Sequence, residues 1–307
     1  MAIYPIAAGQ PDLSGTFIPS VWSGRLLEEF YKTTVYMEIA NTNYEGEIKE
    51  GGETVHIRQV VSHNVRDYTK GQKLQIDTLS KDVVDLNIDK GKYFSFVVDS
   101  IDQYQSDMDL MGDWAEGAAK DLKVAIDLEI LAYLPSEVSS TNKGAAAGAV
   151  SNYNMGTTGA PVAITLNNVL KYFTYLSTIL DESNVPPDDR WIVIPPWLGN
   201  AIQNSDLKNA SFSGLDSSLL LRGLIGSLAG LKIFVSNNLT SVSDTDTCWN
   251  IVAGHKSALS FASQVVISRN LEDAEVLGKI IQMVNVYGRK LVKTDAAALL
   301  YCKNNTV

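Results

Sequence analysis

Glu53-Thr54-Val55-His56-Ile57-Arg58-Gln59-Val60-Val61 and Lys81-Asp82-Val83-Val84-Asp85-Leu86-Asn87-Ile88 are the stretches that decide how this chain is read. Both alternate. Val55, Ile57 and Val61 share one face of the first; Val84, Leu86 and Ile88 share one face of the second. That period of two is a strand signal. Phe94, Phe96 and Val98 continue the alternation. Between the two runs lies Val65-Arg66-Asp67-Tyr68-Thr69-Lys70-Gly71-Gln72-Lys73, polar and turning at Gly71. The spacing predicts a long two-stranded excursion. A lone ribbon is marginal in water. Nothing in the rest of the chain obviously covers it, so the pattern points to an assembling protein.

The flanks fit that reading. Residues 1–19 carry Pro5, Gly9, Pro11, Gly15 and Pro19 without apolar periodicity, so they read as an arm that cannot fold alone. Phe17, Ile18 and Trp22 are anchors in need of a partner surface, and a short helix is expected from Ser20 to about Phe30. Downstream, Met111, Trp114, Ala115, Ala118, Leu122, Ala125, Ile126 and Ile130 recur at helical spacing. They predict a long helix from about Asp109 to Leu134, stopped by Pro135. Glu116 with Lys120 and Lys123 with Asp127 should pair on its polar side.

Residues 139–160, rich in Ser, Gly, Ala, Thr and Asn, read as a loop or loose excursion. A second amphipathic helix, capped by Thr165, should bury Leu166, Val169, Leu170, Phe173, Leu176 and Leu180. Trp191 to Ile194 reads as a buried strand, Pro196 to Asn204 as a helix, and Leu219 to Leu228 as a short apolar helix. Strands are expected at 233–235, 251–254 and 264–267, and the alternation returns over 278–300. The fold class is α+β.

Composition excludes several functions. The chain has 307 residues and a net charge of -10. It carries no lysine and arginine cluster of the kind that grips phosphates, so it is not a direct nucleic-acid reader. An acidic wall can still enclose DNA and let it slide. No apolar run reaches a membrane span, and the first residues lack a signal-peptide core. Folding in a cytoplasm, without membrane contact, is therefore expected.

Chemistry is absent from the motifs. His56, His63 and His255 are scattered, and Cys248 and Cys302 are far apart and expected as buried thiols. His56 is expected on a solvated strand face. Asp99, Asp102, Asp107, Asp109 and Asp113 read as helix-dipole complement and solvated charge, with no cation-loop spacing. There is no P-loop, dinucleotide turn or nucleophile elbow. No catalytic residue, metal or cofactor is expected.

An ordered series of segments resembles the major capsid proteins of tailed bacteriophages. Phe17 to Glu29 resembles their beginning; Asn43 to Ile48 and Gly51 to Ile57 resemble the start of their extended loop. Val65 to Gly71 resembles its tip and Asp89 to Phe96 its return strand. Arg190 to Trp197, Val235 to Asn238 and Val286 to Val292 complete the series over nearly the whole chain. The resemblance implies the HK97-type capsid fold. Mapped here, it gives an N-terminal arm and short helix at 1–40 and an extended loop at 41–99. A peripheral domain with a spine helix follows at 100–160, an axial domain at 161–262, and a return ending in an axial strand at 263–307.

It further implies self-assembly into hexamers and pentamers of an icosahedral or prolate head enclosing double-stranded DNA. Scaffolding, portal and decoration proteins would be its partners, and assembly would occur in the cytoplasm of the bacterial host before the virion is released. Phe17 and Trp22 would anchor the arm; Arg66, Tyr68, Lys70 and Lys73 would make the loop-tip contacts. Some relatives cross-link a loop lysine to a neighbour's asparagine, but no matching acceptor is found here, and that chemistry is not carried over. The rival readings are an encapsulin-like compartment shell, which shares the fold, and a soluble α+β enzyme.

Overall fold

The computed structural model describes residues 32, 34–43, 54–58, 65–74, 76, 83–99, 110–205, 226–244, 246–272 and 278–305. The helix expected at 20–30 lies outside them. In chain order the elements begin with α1 (Tyr36–Ile39), β1 (Thr54–Arg58), β2 (Val83–Asn87), β3 (Lys90–Asp99) and α2 (Leu110–Glu137). Next come β4 (Val162–Ile164), α3 (Val169–Glu182), β5 (Arg190–Ile194), α4 (Pro196–Gln203), β6 (Ser227–Leu228) and β7 (Leu231–Val235). The chain ends with β8 (Ser241–Ser243), β9 (Thr247–His255), β10 (Leu259–Glu272), β11 (Gly278–Leu291) and β12 (Ala297–Asn304).

These form three sheets. β1 and β2 make an antiparallel ribbon. β10, β11 and β3 make an antiparallel sheet in that order. The seven-stranded sheet runs β4-β12-β9-β5-β7-β6, with β8 beside β9. Its central strand β5 is buried at every residue, as the unbroken apolar run Trp191-Ile192-Val193-Ile194 requires. Val169, Phe173, Leu176, Ile179 and Leu180 of α3 pack into the same core. Arg190, almost wholly buried, ties α3 to this sheet: its guanidinium donates to Asp181 at 2.6 Å and to the Val185 and Pro186 carbonyls.

Several expectations change. α2 passes through Pro135 to Glu137. Proline there forfeits only its own bond to the Leu131 carbonyl, and the helix ends two residues later, where the Ser136 hydroxyl donates to the Tyr133 carbonyl. α3 begins at Val169, not after a Thr165 cap. Asn168 instead closes the preceding turn, its side-chain oxygen accepting from Thr165 N–H at 2.8 Å. Leu228, expected in a helix, lies in β6.

The 139–160 stretch is not loose. Asn142 is buried and donates to the Asp295 and Ala297 carbonyls, while Ala147 and Met155 enter the core. Glu182 accepts from the Ser151 hydroxyl and from Val150 N–H. Small residues here permit close packing; Gly156 sits where a Cβ would stand 2.1 Å from the Tyr301 carbonyl oxygen.

The largest change concerns α2. Glu116 and Lys120 do pair, at 3.1 Å. Asp127, placed by spacing on the polar side, is instead fully buried. Its Oδ1 accepts from the Val35 and Tyr36 N–H groups at 3.0 and 2.8 Å, and its Oδ2 from the Asn238 side chain at 2.6 Å.

Two residues on, about 200° around the helix, Glu129 faces the three-stranded sheet. It accepts from the Tyr287 hydroxyl at 2.6 Å and meets Lys92 at 3.1 Å and Arg289 at 2.7 Å. Burial alone would raise the Glu129 carboxyl. Tyr287, Lys92 and Arg289 outweigh it and hold the group below the ordinary glutamate range.

A carboxyl depressed in this way contributes stability above its unfolded range and loses it as pH falls through the lower folded value. Glu129→Gln should therefore cost about 1–3 kcal/mol at neutral pH, the worth of hydrogen bonds to a charged group. It should also flatten the fall of melting temperature on acidification below about pH 5. Thermal melts of the unassembled subunit across that range check both.

Candidate assembly surface

The ribbon grows from a small core of its own. Val55↔Leu86 and Ile57↔Val84 are cross-strand neighbours. Ile57, Leu86 and Ile88 are buried together with Ala262, and Val55, Val286 and Val292 pack against them. The chain's own β10 and β11 thus cover the ribbon's base, which sequence alone had left uncovered. The approach is close: a Cβ on Gly288 would stand 2.4 Å from the Asn87 carbonyl oxygen, so only glycine fits. The opposite face is solvated, and there His56 meets Asp85 at 2.6 Å, as expected of a strand's outer side.

Beyond this base the ribbon has no cover among the described residues. Arg66, Tyr68, Lys70 and Lys73 are gathered on its exposed tip. Gly71, at φ 87°, and the Gln72 N–H donating to the Thr69 carbonyl at 3.0 Å make the turn. The tip also carries exposed apolar side chains, of which the sequence reading names only Tyr68 as a contact. Val65 is 96%, Ile76 92%, Leu74 74% and Tyr68 67% exposed. Four large apolar groups this open on one loop make it a candidate contact surface. The two arm anchors, Phe17 and Trp22, lie outside the described residues.

A second surface is the outer face of the three-stranded sheet. Phe94 and Phe96 turn inward, Phe96 meeting Trp114 of α2 edge-on. Tyr93 and Val97, alternating with them, are exposed on the other side, with Leu271 in the same row of partners through Ile280. Arg269, Gln282 and Ser95 form a hydrogen-bonded ladder across that face. The sequence did carry this signal: Tyr93 to Val98 is apolar at both parities apart from Ser95, the pattern of a strand covered on two sides. A groove of about 270 Å³ between β3 and α2, lined by Lys92, Tyr93, Phe94, Ala118, Asp121, Leu122 and Ala125, adjoins it.

Charge distinguishes the tip from the helix α2. Residues 65–74 hold three cations and one carboxylate, whereas α2 holds six carboxylates and two lysines. A cavity of about 380 Å³ lies between the end of α3 and the turn after β11, lined by His255, Ser257, Lys293 and Asp295, with the His255 Nδ1 2.8 Å from the Ser257 hydroxyl. Burial lowers the His255 imidazole below its ordinary range. Cys248 and Cys302 are buried thiols, and burial pushes Cys302 well up, away from reactivity. No described helix is long and apolar enough to cross a membrane.

The described structure thus leaves a ribbon tip and one face of the three-stranded sheet exposed to solvent. The family described as phage capsid protein matches residues 82–300, and the chain belongs to it. Among solved structures it is similar to Mycobacterium phage Che8, at 31% identity over 92% of this chain and 97% of that one, with a TM-score of 0.74. The capsid of cyanophage P-SCSP1u matches at 16% identity over 99% of this chain and 100% of that chain, TM-score 0.72. The mature capsid of bacteriophage PhiM1 matches at 15% over the full length of both, TM-score 0.62.

No curated protein matches. The fold is the HK97-like capsid fold, and the chain is a major capsid protein that self-assembles into the shell of the phage head. Its place is the virion capsid, and its role is structural, not enzymatic.

Leu86 tests the ribbon's base. Leu86→Ala should open a cavity costing about 2–4 kcal/mol. The loss should be local: amide exchange over 83–87 accelerates, while exchange within β5 and β9 keeps its wild-type rate.

Proposed function

We propose that copies of this subunit close into hexamers and pentamers through heterologous, ring-closing contacts in which the ribbon tip lies over an adjacent copy. The observation that carries this is the tip itself: Val65, Tyr68, Leu74 and Ile76 stand open to solvent on a loop whose base is packed into its own sheet. A fixed base and an apolar tip are what a reaching contact needs, because little ordering entropy remains to be lost on docking. Arg66, Lys70 and Lys73 supply steering toward a neighbour's acidic spine helix. Phe17 and Trp22 anchor the arm, which ties capsomers together.

The assignment of units follows: arm and short helix at 1–40, extended loop at 41–99, peripheral domain at 100–160, axial domain at 161–262, and return at 263–307. The axial unit meets its copies at the five- and six-fold axes. Each contact is modest; the closed shell gains by their number. Its contents are double-stranded DNA, held without sequence readout. Scaffolding and portal proteins, with decoration proteins outside, complete the head, and assembly takes place in the host cytoplasm.

Deleting residues 66–73 should leave a folded, soluble subunit that forms no closed shells in negative-stain micrographs. Normal particles from that variant would sink the proposal. Lys70→Gln with Lys73→Gln should slow shell formation about tenfold at low salt and far less at high salt, read by light scattering.

A further inference from the structure

Asp127 is a fully buried carboxylate on the spine helix α2, and among the described residues no lysine, arginine or histidine pairs with it. Its three hydrogen bonds go to parts of the chain that are remote in sequence. Two come from Val35 and Tyr36, at the start of α1, where the N–H groups of a first turn lack partners within their own helix. The third comes from Asn238, in the turn between β7 and β8 of the seven-stranded sheet. Glu38, the carboxylate of α1, and Lys232, the cation of β7, lie near enough to influence one another, and Lys232 is held by Asp189 at 2.7 Å. Desolvation raises the Asp127 carboxyl above the ordinary aspartate range, against the bonds that favour its ionised form. A buried, cation-free carboxylate contributes little net stability. What it supplies is direction, since its two oxygens face different partners.

We infer that Asp127 is the positioning residue for the N-terminal arm: it caps α1 from outside and so fixes where the chain before Val35 leaves the body, in register with the seven-stranded sheet through Asn238. The consequence for assembly rests on the arm reading given above. The pin itself does not.

The test uses the full-length chain with Asp127→Ala, Asp127→Asn and the exchange Asp127→Asn/Asn238→Asp. Tryptic cleavage after Lys32 reports the root of the arm, melting reports the body, and sedimentation reports shells. Asp127→Ala should raise the cleavage rate at least tenfold while the body still melts cooperatively. The exchange restores an acceptor–donor pair at 238 and leaves an amide oxygen for the Val35 and Tyr36 N–H groups. It should return cleavage to within about threefold of wild type. Unchanged cleavage in Asp127→Ala, or an exchange variant as labile as Asp127→Ala, would overturn the inference. Faster cleavage with undiminished shell yield would support the pin and overturn the arm reading instead.

Discussion

The structure depends on one rod with two different carboxylates facing opposite ways. α2 is about 42 Å long at 1.5 Å per residue, and Asp127 and Glu129 stand on opposite sides of it. Asp127 joins the rod to the start of α1 and to the seven-stranded sheet. Glu129 joins it to β3 and β11 through Lys92, Tyr287 and Arg289. The two sheets also share one core, in which Phe261, Tyr287 and Leu291 lie with the residues of β5, β9 and β12. The bonding also differs in kind. The Glu129 side is an ion-pair network, strong and partly solvated; the Asp127 side is neutral donors around a lone charge, where geometry counts more than energy.

The ribbon inherits its placement from that arrangement. β3 and β11 are set by α2, β2 lies against β11 at Gly288, and the tip extends from there. A shift at the rod is therefore passed to the ribbon's base through packed elements. The absence of a cover for the tip within the described chain, set beside a well-covered base, separates what the subunit keeps for itself from what it offers to a neighbour.

Much of this was readable in the sequence where periodicity and burial agree. β5, α3 and the ribbon strands follow their apolar patterns. The failures have physical causes. Asp127 sits four residues after Lys123, so a helical wheel assigns it to solvent; only the fold brings the α1 amides and Asn238 to it. The cover of the ribbon base comes from Ala262, Val286 and Val292, more than a hundred residues away, and no local pattern announces such a contact. Residues 139–160 looked loose because small residues carry no periodic signal, yet smallness is what lets Gly156 lie against β12. The capsid assignment came from ordered resemblance, since no motif of chemistry stood behind it.

The strand β12 gives the seven-stranded sheet a timing as well as a shape. It lies inside that sheet, parallel to β4 and antiparallel to β9. β4 at 162–164 thus has no neighbour on that side until residues 297–304 have left the ribosome. Long-range pairing of this kind is slow to close. The sheet therefore closes across more than a hundred intervening residues, and β4 is held at its edge by a strand that the chain supplies long after it.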